Sequence, residues 1–192
     1  EERIRHTCTG DGYQHFAVTT AGELYAWGVN ELGLLGTGDD GDKDIPVRVA
    51  FDPGVRVLRT CIGNTHSVVL TEDGEVYTMG GESDGGWGVQ HLGHVNYRDR
   101  HGGLPMVDDG STAPGPVLVP TRVEMLRGTR IVEIAASRSM TLCRAASGKL
   151  ITFGDTEDEW NEWAAASEDG LELVWPERRK EIRFDEESDE DD

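Results

Sequence analysis

The sequence predicts an all-β fold built from repeated antiparallel blades, and three observations predict it. The chain of 192 residues holds 25 glycines but only 7 prolines, an excess that marks many tight turns between short strands. Two passages repeat in register, with 52 residues from Gly22 to Gly74 and again 52 from Gly28 to Gly80. Around these glycines, short apolar runs alternate with turn signals at the length of strands rather than helices.

In the first unit, Thr7-Cys8-Thr9-Gly10 precedes His15-Phe16-Ala17-Val18, and Ala21-Gly22-Glu23 then leads into Leu24-Tyr25-Ala26-Trp27-Gly28. The second runs Thr60-Cys61-Ile62-Gly63, His66-Ser67-Val68-Val69 and Asp73-Gly74-Glu75-Val76-Tyr77-Thr78-Met79-Gly80. Ser67 to Thr71 is a short apolar run, Glu72-Asp73-Gly74 is a turn whose glycine accepts positive φ, and Glu75 to Met79 alternates, so this segment is a hairpin. A weaker third unit holds Ala135-Ala136-Ser137, Met140-Thr141-Leu142 and Ser147-Gly148-Lys149-Leu150-Ile151-Thr152-Phe153-Gly154. A third strand is expected near Val47-Arg48-Val49 and near Thr121-Arg122-Val123, each opening after a proline. A fourth, Val55-Arg56-Val57-Leu58 or Arg130-Ile131-Val132-Glu133-Ile134, leads into the next unit. Four antiparallel strands in a period of about 50 residues make a β-propeller blade.

Gly80 to Gly154 spans 74 residues, and the additional 22 lie between Gly80 and Pro120, which places an insertion loop at residues 94–115. The units are read as 4–54, 55–128 and 129–154, with the last extending to 176 if Leu171 to Trp175 forms a strand. Residues 177–192 form an acidic tail, and Asp185 to Asp192 is too charged to bury and is expected to be disordered. Propellers close with about four to eight blades, so three blades leave an incomplete ring. Missing blades in a longer chain, which the non-Met start also suggests, or self-association are therefore expected.

These residues resemble the regulator of chromosome condensation repeat, whose pattern is G-x-x-H-(S/T)-x-x-L-T-x-x-G-x-(V/L)-(Y/W)-x-(W/F)-G-x-N-x-x-G-Q-L-G. Gly63-Asn64-Thr65-His66-Ser67-Val68-Val69-Leu70-Thr71-Glu72-Asp73-Gly74-Glu75-Val76-Tyr77 follows it closely. Trp27-Gly28-Val29-Asn30-Glu31-Leu32-Gly33-Leu34-Leu35-Gly36 supplies the rest, with Leu34 in place of Gln. The third unit departs from it, with Met140 in place of His and an acidic stretch after Gly154. The resemblance implies that His15 and His66 share one structural position and hydrogen-bond within their blades. It gives the turn glycines Gly22, Gly74 and Gly148 and the strand-end glycines Gly28, Gly80 and Gly154 the same structural standing. It implies a noncatalytic protein-protein interaction module, with two alternatives: guanine-nucleotide exchange on a Ran-like small GTPase, or substrate recruitment in a ubiquitin ligase.

The net charge of −19 is concentrated at one end: residues 155–192 carry 17 Asp/Glu against 4 Lys/Arg. Neither part offers the basic surface that counterion release requires, so direct nucleic-acid binding is not expected and the partner is read as a protein. No stretch approaches the roughly 20 apolar residues of a membrane span, and the expected compartment is cytoplasmic or nuclear. Cys8, Cys61 and Cys143 form no C-x-x-C pair and read as reduced thiols packed in strands. The absence of a Ser/His/Asp, P-loop or zinc constellation argues against an enzyme, and neither cofactor nor metal is expected. Asp39-Asp40-Gly41-Asp42 lacks the acid that a calcium loop needs at its twelfth position, where Ala50 stands, and reads as a solvated turn. In and beside the insertion, His91, His94 and His101 are weighed as metal ligands, as part of a surface loop or as part of a partner contact. Arg98 and Arg100 make that loop the candidate contact with an acidic partner surface. Trp160 and Trp163 are expected to pack on the third blade.

Overall fold

The computed structural model describes residues 3–10, 13–81, 92–93, 116–138 and 140–154. The first sheet contains β1 (Ile4–Thr9), β2 (Gln14–Thr19), β3 (Leu24–Gly28) and β4 (Lys43–Arg48). The second contains β5 (Val57–Ile62), β6 (His66–Thr71), β7 (Val76–Gly80) and β8 (Val117–Arg122). The third contains β9 (Ile131–Ala136), β10 (Met140–Ala145) and β11 (Leu150–Gly154). Each sheet is an antiparallel meander in which sequence neighbours pair, and β1, β5 and β9 lie side by side. The blades stack as part of a propeller, an open array among the described residues. The third has three described strands, and the Leu171 to Trp175 segment expected to complete it lies outside the described residues.

The hairpin tips are alike in all three blades. Gly22, Gly74 and Gly148 take φ of 83°, 84° and 90°. Their N–H groups donate to the carbonyls of Thr19, Thr71 and Ala145 at 3.0, 3.0 and 2.9 Å. A side chain is disfavoured in that left-handed conformation, which explains the glycine repeat.

Two strand boundaries differ from the expectation. The outer strands start at Lys43 and Val117, so Pro46 and Pro120 lie inside β4 and β8 rather than ahead of them. Both are edge strands with a register break, where a missing N–H costs no ladder bond. The residues before the prolines, Ile45 and Val119, are 70% and 50% exposed there. The segments at Val55 and Arg130 are lead-ins to β5 and β9, the first strands of the following blades.

The cores lie between blades. Phe16, Val18, Leu24 and Ala26 of the first sheet face Val57, Val69, Tyr77 and Met79 of the second. The opposite face of the second sheet, with Val68, Leu70 and Val76, meets Ile131, Cys143, Ile151 and Phe153 of the third. Strand register makes Phe16, Val68 and Leu142 equivalent, and likewise Leu24, Val76 and Leu150. Phe16, Val68, Leu24 and Val76 are at most 1% exposed, whereas Leu142 and Leu150, with no following blade among the described residues, are half-buried.

A clasp reinforces each seam. After β3, a one-turn 3₁₀ helix at Glu31–Gly33 delivers Leu35 into the first core, fully buried. At Gly36, whose φ is 67°, an added Cβ would lie 2.4 Å from Met79 Sδ, so glycine permits the close approach. Leu92-Gly93 repeats the device: Leu92 is fully buried and its carbonyl accepts from Thr78 Oγ1 at 2.7 Å, while a Cβ on Gly93 would lie 2.8 Å from the Phe153 ring.

Asn30 organises the first clasp. Fully buried, its amide donates to the carbonyls of Asp39 and Gly41 at 2.8 and 3.1 Å, and its Oδ1 accepts from the Leu35 N–H at 2.9 Å. Alanine would remove all three bonds and leave the buried Leu35 N–H unpaired. Asn30→Ala is expected to lower stability by about 2–3 kcal/mol in chemical denaturation, whereas Asp40→Ala, at an exposed position of the same loop, shifts it by less than about 0.5 kcal/mol.

Candidate functional site

The residue that looks most chemical in the sequence, His66, lies at the seam between the second and third blades. It is fully buried, and its Nε2 shares a 2.8 Å hydrogen bond with the Thr141 hydroxyl. That bond runs between blades rather than within one, which corrects the expectation from the resemblance. The same seam carries an Asn64 N–H to Arg138 carbonyl bond of 3.0 Å. A Cβ on Gly63 would lie 2.2 Å from the Ser137 carbonyl, so the blades meet there at backbone distance.

His15 does not share this position. Gly80 faces His66 in the ladder, Gly28 faces Gln14, and Gly154 faces Met140. The equivalents of His66 are therefore Gln14 and Met140. His15 sits one residue later, half-buried, opposite Trp27 and stacked on its ring at 5.4 Å, with its Nδ1 3.3 Å from Thr9 Oγ1. The displacement arises because Gly10 closes its turn onto the Gln14 carbonyl, four residues on, while Gly63 closes onto His66, three on. Ser67 stands where Thr141 does, but at the first seam its buried hydroxyl has no hydrogen-bond partner among the described residues.

The thiols are built for packing. Burial raises the pKa of Cys8, and it raises that of Cys61 further, with smaller contributions from Cys8 and Cys143. Burial pushes Cys143 up to about 12. Thiols held protonated in this way are poor nucleophiles and poor metal ligands. Among the described residues no group of three His, Cys, Asp or Glu is placed to hold a metal ion, and no helix is long and apolar enough to cross a membrane.

The rim carries the charge. Arg48 pairs with Glu23 at 2.7 Å, and at the equivalent place Arg122 pairs with Glu75 at 2.9 Å. Glu72 takes Arg56 at 2.7 Å and also Arg5, and these hydrogen bonds, Arg56 first, hold its carboxyl below the usual range. Such a contribution is present above the ordinary carboxylate pKa and is lost as pH falls through the lowered one. Exposure and salt keep it small. In the first clasp, Asp39 accepts from Lys43 at 2.7 Å and the Asp42 carboxylate accepts the Asn30 N–H at 2.9 Å, while both acids remain exposed, as a solvated turn requires.

Between the Gly74 turn and the segment after β8 lies a cleft of about 250 Å³. Val76, Val123 and Leu126 form its apolar part, and Arg122, Arg127 and Arg130 stand around them. Its walls come from segments about 50 residues apart, so no single motif announces it. The signal available in the sequence was the equivalence of Arg130 with Arg56. Arg98, Arg100, His91, His94, His101, Trp160, Trp163 and residues 177–192 lie outside the described residues.

Comparison with known proteins agrees with this architecture. Two family models described as the regulator of chromosome condensation (RCC1) repeat match residues 21–70 and 59–85. The ultraviolet-B receptor UVR8 of Arabidopsis thaliana is 29% identical over 170 residues, which cover 88% of this chain and 32% of the receptor. The probable E3 ubiquitin-protein ligase HERC3 of Homo sapiens is 31% identical over 144 residues, 74% of this chain and 12% of the ligase. Among solved structures, Prp20p from Saccharomyces cerevisiae superposes with a TM-score of 0.60 at 21% identity, covering 79% of this chain and 33% of its own. Human WBSCR16 superposes with a TM-score of 0.62 at 20% identity, covering 89% and 38% respectively. This chain thus spans about a third or less of the length of the receptor and of the ligase. With blade topology, turn glycines and repeat matches in agreement, the chain belongs to the RCC1-repeat family of β-propellers.

Proposed function

We propose that the chain is a noncatalytic protein-docking module, part of a longer propeller. The observation that carries this reading is the His66–Thr141 bond across the blade seam. The imidazole that sequence alone would nominate for chemistry is consumed in joining blades, away from solvent and from any substrate. What varies from blade to blade is the rim, and varied loops on a rigid frame are where binding specificity is carried. The partner is a protein, met in the cytoplasm or nucleus.

Guanine-nucleotide exchange on a Ran-like small GTPase is the second reading. It draws support from the likeness to Prp20p, a protein studied for its binding to Gsp1p and histones. Exchange stabilises the nucleotide-free GTPase and so requires a docking face rather than an acid or base. Substrate recruitment for a ubiquitin ligase is a third form of docking, supported by the likeness to 12% of the probable E3 ubiquitin-protein ligase HERC3.

Three outcomes test these readings. His66→Ala is expected to lower stability by about 1–3 kcal/mol, and the double variant with Thr141→Val should cost less than the sum of the single changes. An unchanged melting temperature would remove the scaffold argument. Deletion of residues 94–115, with Arg98 and Arg100, is expected to leave the circular dichroism spectrum intact and to lower partner yield in a cross-linking pull-down. Equal yield of every partner would make the insertion a spacer. Release of a fluorescent GDP analogue from a Ran-type GTPase should be unaffected by the chain under the docking reading, and acceleration would favour exchange.

A further inference from the structure

Arg130 belongs to a repeated set of three arginines, of which only Arg56 has an acidic residue at the matching hairpin position, since Thr20 and Ala146 stand where Glu72 does. Arg3, Arg56 and Arg130 each lend a backbone carbonyl to the next hairpin, accepting from the N–H groups of Thr20, Glu72 and Ala146. Arg56 therefore stands beside Glu72, and its guanidinium takes that carboxylate at 2.7 Å. In the third blade the position of Glu72 is occupied by Ala146. Arg130 consequently makes no ion pair or side-chain hydrogen bond among the described residues, although its stem packs on the turn, 2.7 Å from where a Cβ on Gly74 would lie. A guanidinium placed this way is held ready for a carboxylate that its own chain does not supply at that position.

The cleft next to it is lined by residues that differ from those at the equivalent place on the preceding blade. The segment Asp52-Pro53-Gly54-Val55-Arg56 has the same length as Leu126-Arg127-Gly128-Thr129-Arg130. Leu126 for Asp52 provides an apolar wall, and Arg127 for Pro53 provides a second basic group. Leu126 is 5% exposed, and Val76 and Val123 beside it are 1% and 2% exposed. Arg127 is mostly exposed, with one 3.5 Å contact to Glu124, while Arg122 is engaged by Glu75 and Glu124. Asp73 also lines the cleft, and Glu75 there is already held by Arg122 at 2.9 Å. The described residues carry 12 Lys/Arg and 12 Asp/Glu, so the described fold has no net charge to repel such an anion.

We propose that this cleft takes an acidic peptide from a protein partner, with its carboxylate on Arg130 and Arg127. The proposal rests on the docking-module reading and names the chemistry of one contact.

The probe is a fluorescein-labelled peptide with two adjacent acidic residues flanked by leucines, compared by anisotropy with its Asn/Gln counterpart on the full chain. Saturable binding that weakens with salt is expected, with the amide peptide about tenfold weaker. Arg130→Ala should weaken the acidic peptide about tenfold. Ala146→Glu should do the same by giving Arg130 the counterion that Arg56 has, without lowering the melting temperature. Arg48→Ala, on the first blade, should leave affinity unchanged. Equal affinity for both peptides, or indifference to Arg130→Ala and Ala146→Glu, overturns the proposal. Binding that appears only after residues 177–192 are removed would make the chain's own acidic end the occupant and also overturn it. Loss of peptide binding with partner capture through residues 94–115 retained sinks the cleft but not the docking module.

Discussion

A four-stranded blade has two broad faces and no means of burying either by itself, so the seam between neighbouring blades is the constraint on which the rest depends. Both cores are shared: Phe16 and Leu24 are covered by Val69, Tyr77 and Met79 of the next sheet, and Val68 and Val76 by Cys143, Ile151 and Phe153 of the one after. The clasps follow from this need. Leu35 and Leu92 leave their own blades to fill the seams, and Gly36 and Gly93 allow the backbone close enough for them to do so. The polar network around Asn30 serves the same end, since a fully buried amide must have its own donors and acceptor satisfied.

Magnitudes separate what holds a seam from what aligns it. Fully burying one Leu, Val or Phe side chain contributes about 1.5–3 kcal/mol, and each seam buries several. A single hydrogen bond contributes about 0.5–1.5 kcal/mol net. The His66–Thr141 bond is therefore a minor part of the cohesion at its seam, and its larger effect is on register, because leaving either partner unpaired in a buried place is costly. The first seam lacks this bond, with Gln14 in the histidine position and the Ser67 hydroxyl without a partner among the described residues. It forms nonetheless, with the Val57 N–H donating to the Gly22 carbonyl at 2.8 Å and His6 Nε2 3.0 Å from the Thr60 carbonyl, so the histidine bond is not needed at every seam.

The blade pattern was legible because turn glycines at fixed spacing and alternating strands are local signals. Gly22, Gly74 and Gly148 sit at the tips of their hairpins as the spacing implied. The alignment of His15 with His66 went wrong because one residue of turn length moves a side chain to the opposite face of the sheet, and the chemical likeness of two histidines masked that slip. The prolines in β4 and β8 misled in a related way, since whether a proline opens a strand or sits on its edge is decided by the neighbouring strand. Asn30 was visible as a motif residue, but its network joins groups up to eleven residues away, and no periodicity reports that. Leu92-Gly93 lay hidden because Leu92 follows Gly80 by 12 residues whereas Leu35 follows Gly28 by 7, so equal spacing does not report the match.

Repetition itself limits where specificity can reside. A residue present in every blade must satisfy every seam, and Gly80 facing His66 or Gly28 facing Gln14 is already fully committed to the ladder. Distinct recognition has to come from positions at which the blades differ. Here the differences cluster at one rim: Arg127 for Pro53 and Leu126 for Asp52 line a single cleft, and Ala146, which stands for Glu72, is bonded to the backbone of Arg130 beside them. Replacing Glu72 by Ala146 forfeits little stability, since an exposed ion pair contributes about 0–1 kcal/mol. The same change leaves a positioned guanidinium without a carboxylate from its own hairpin. The rim can therefore diverge at small energetic cost while the seams stay alike, which allows a repeated scaffold to carry a site that is not repeated.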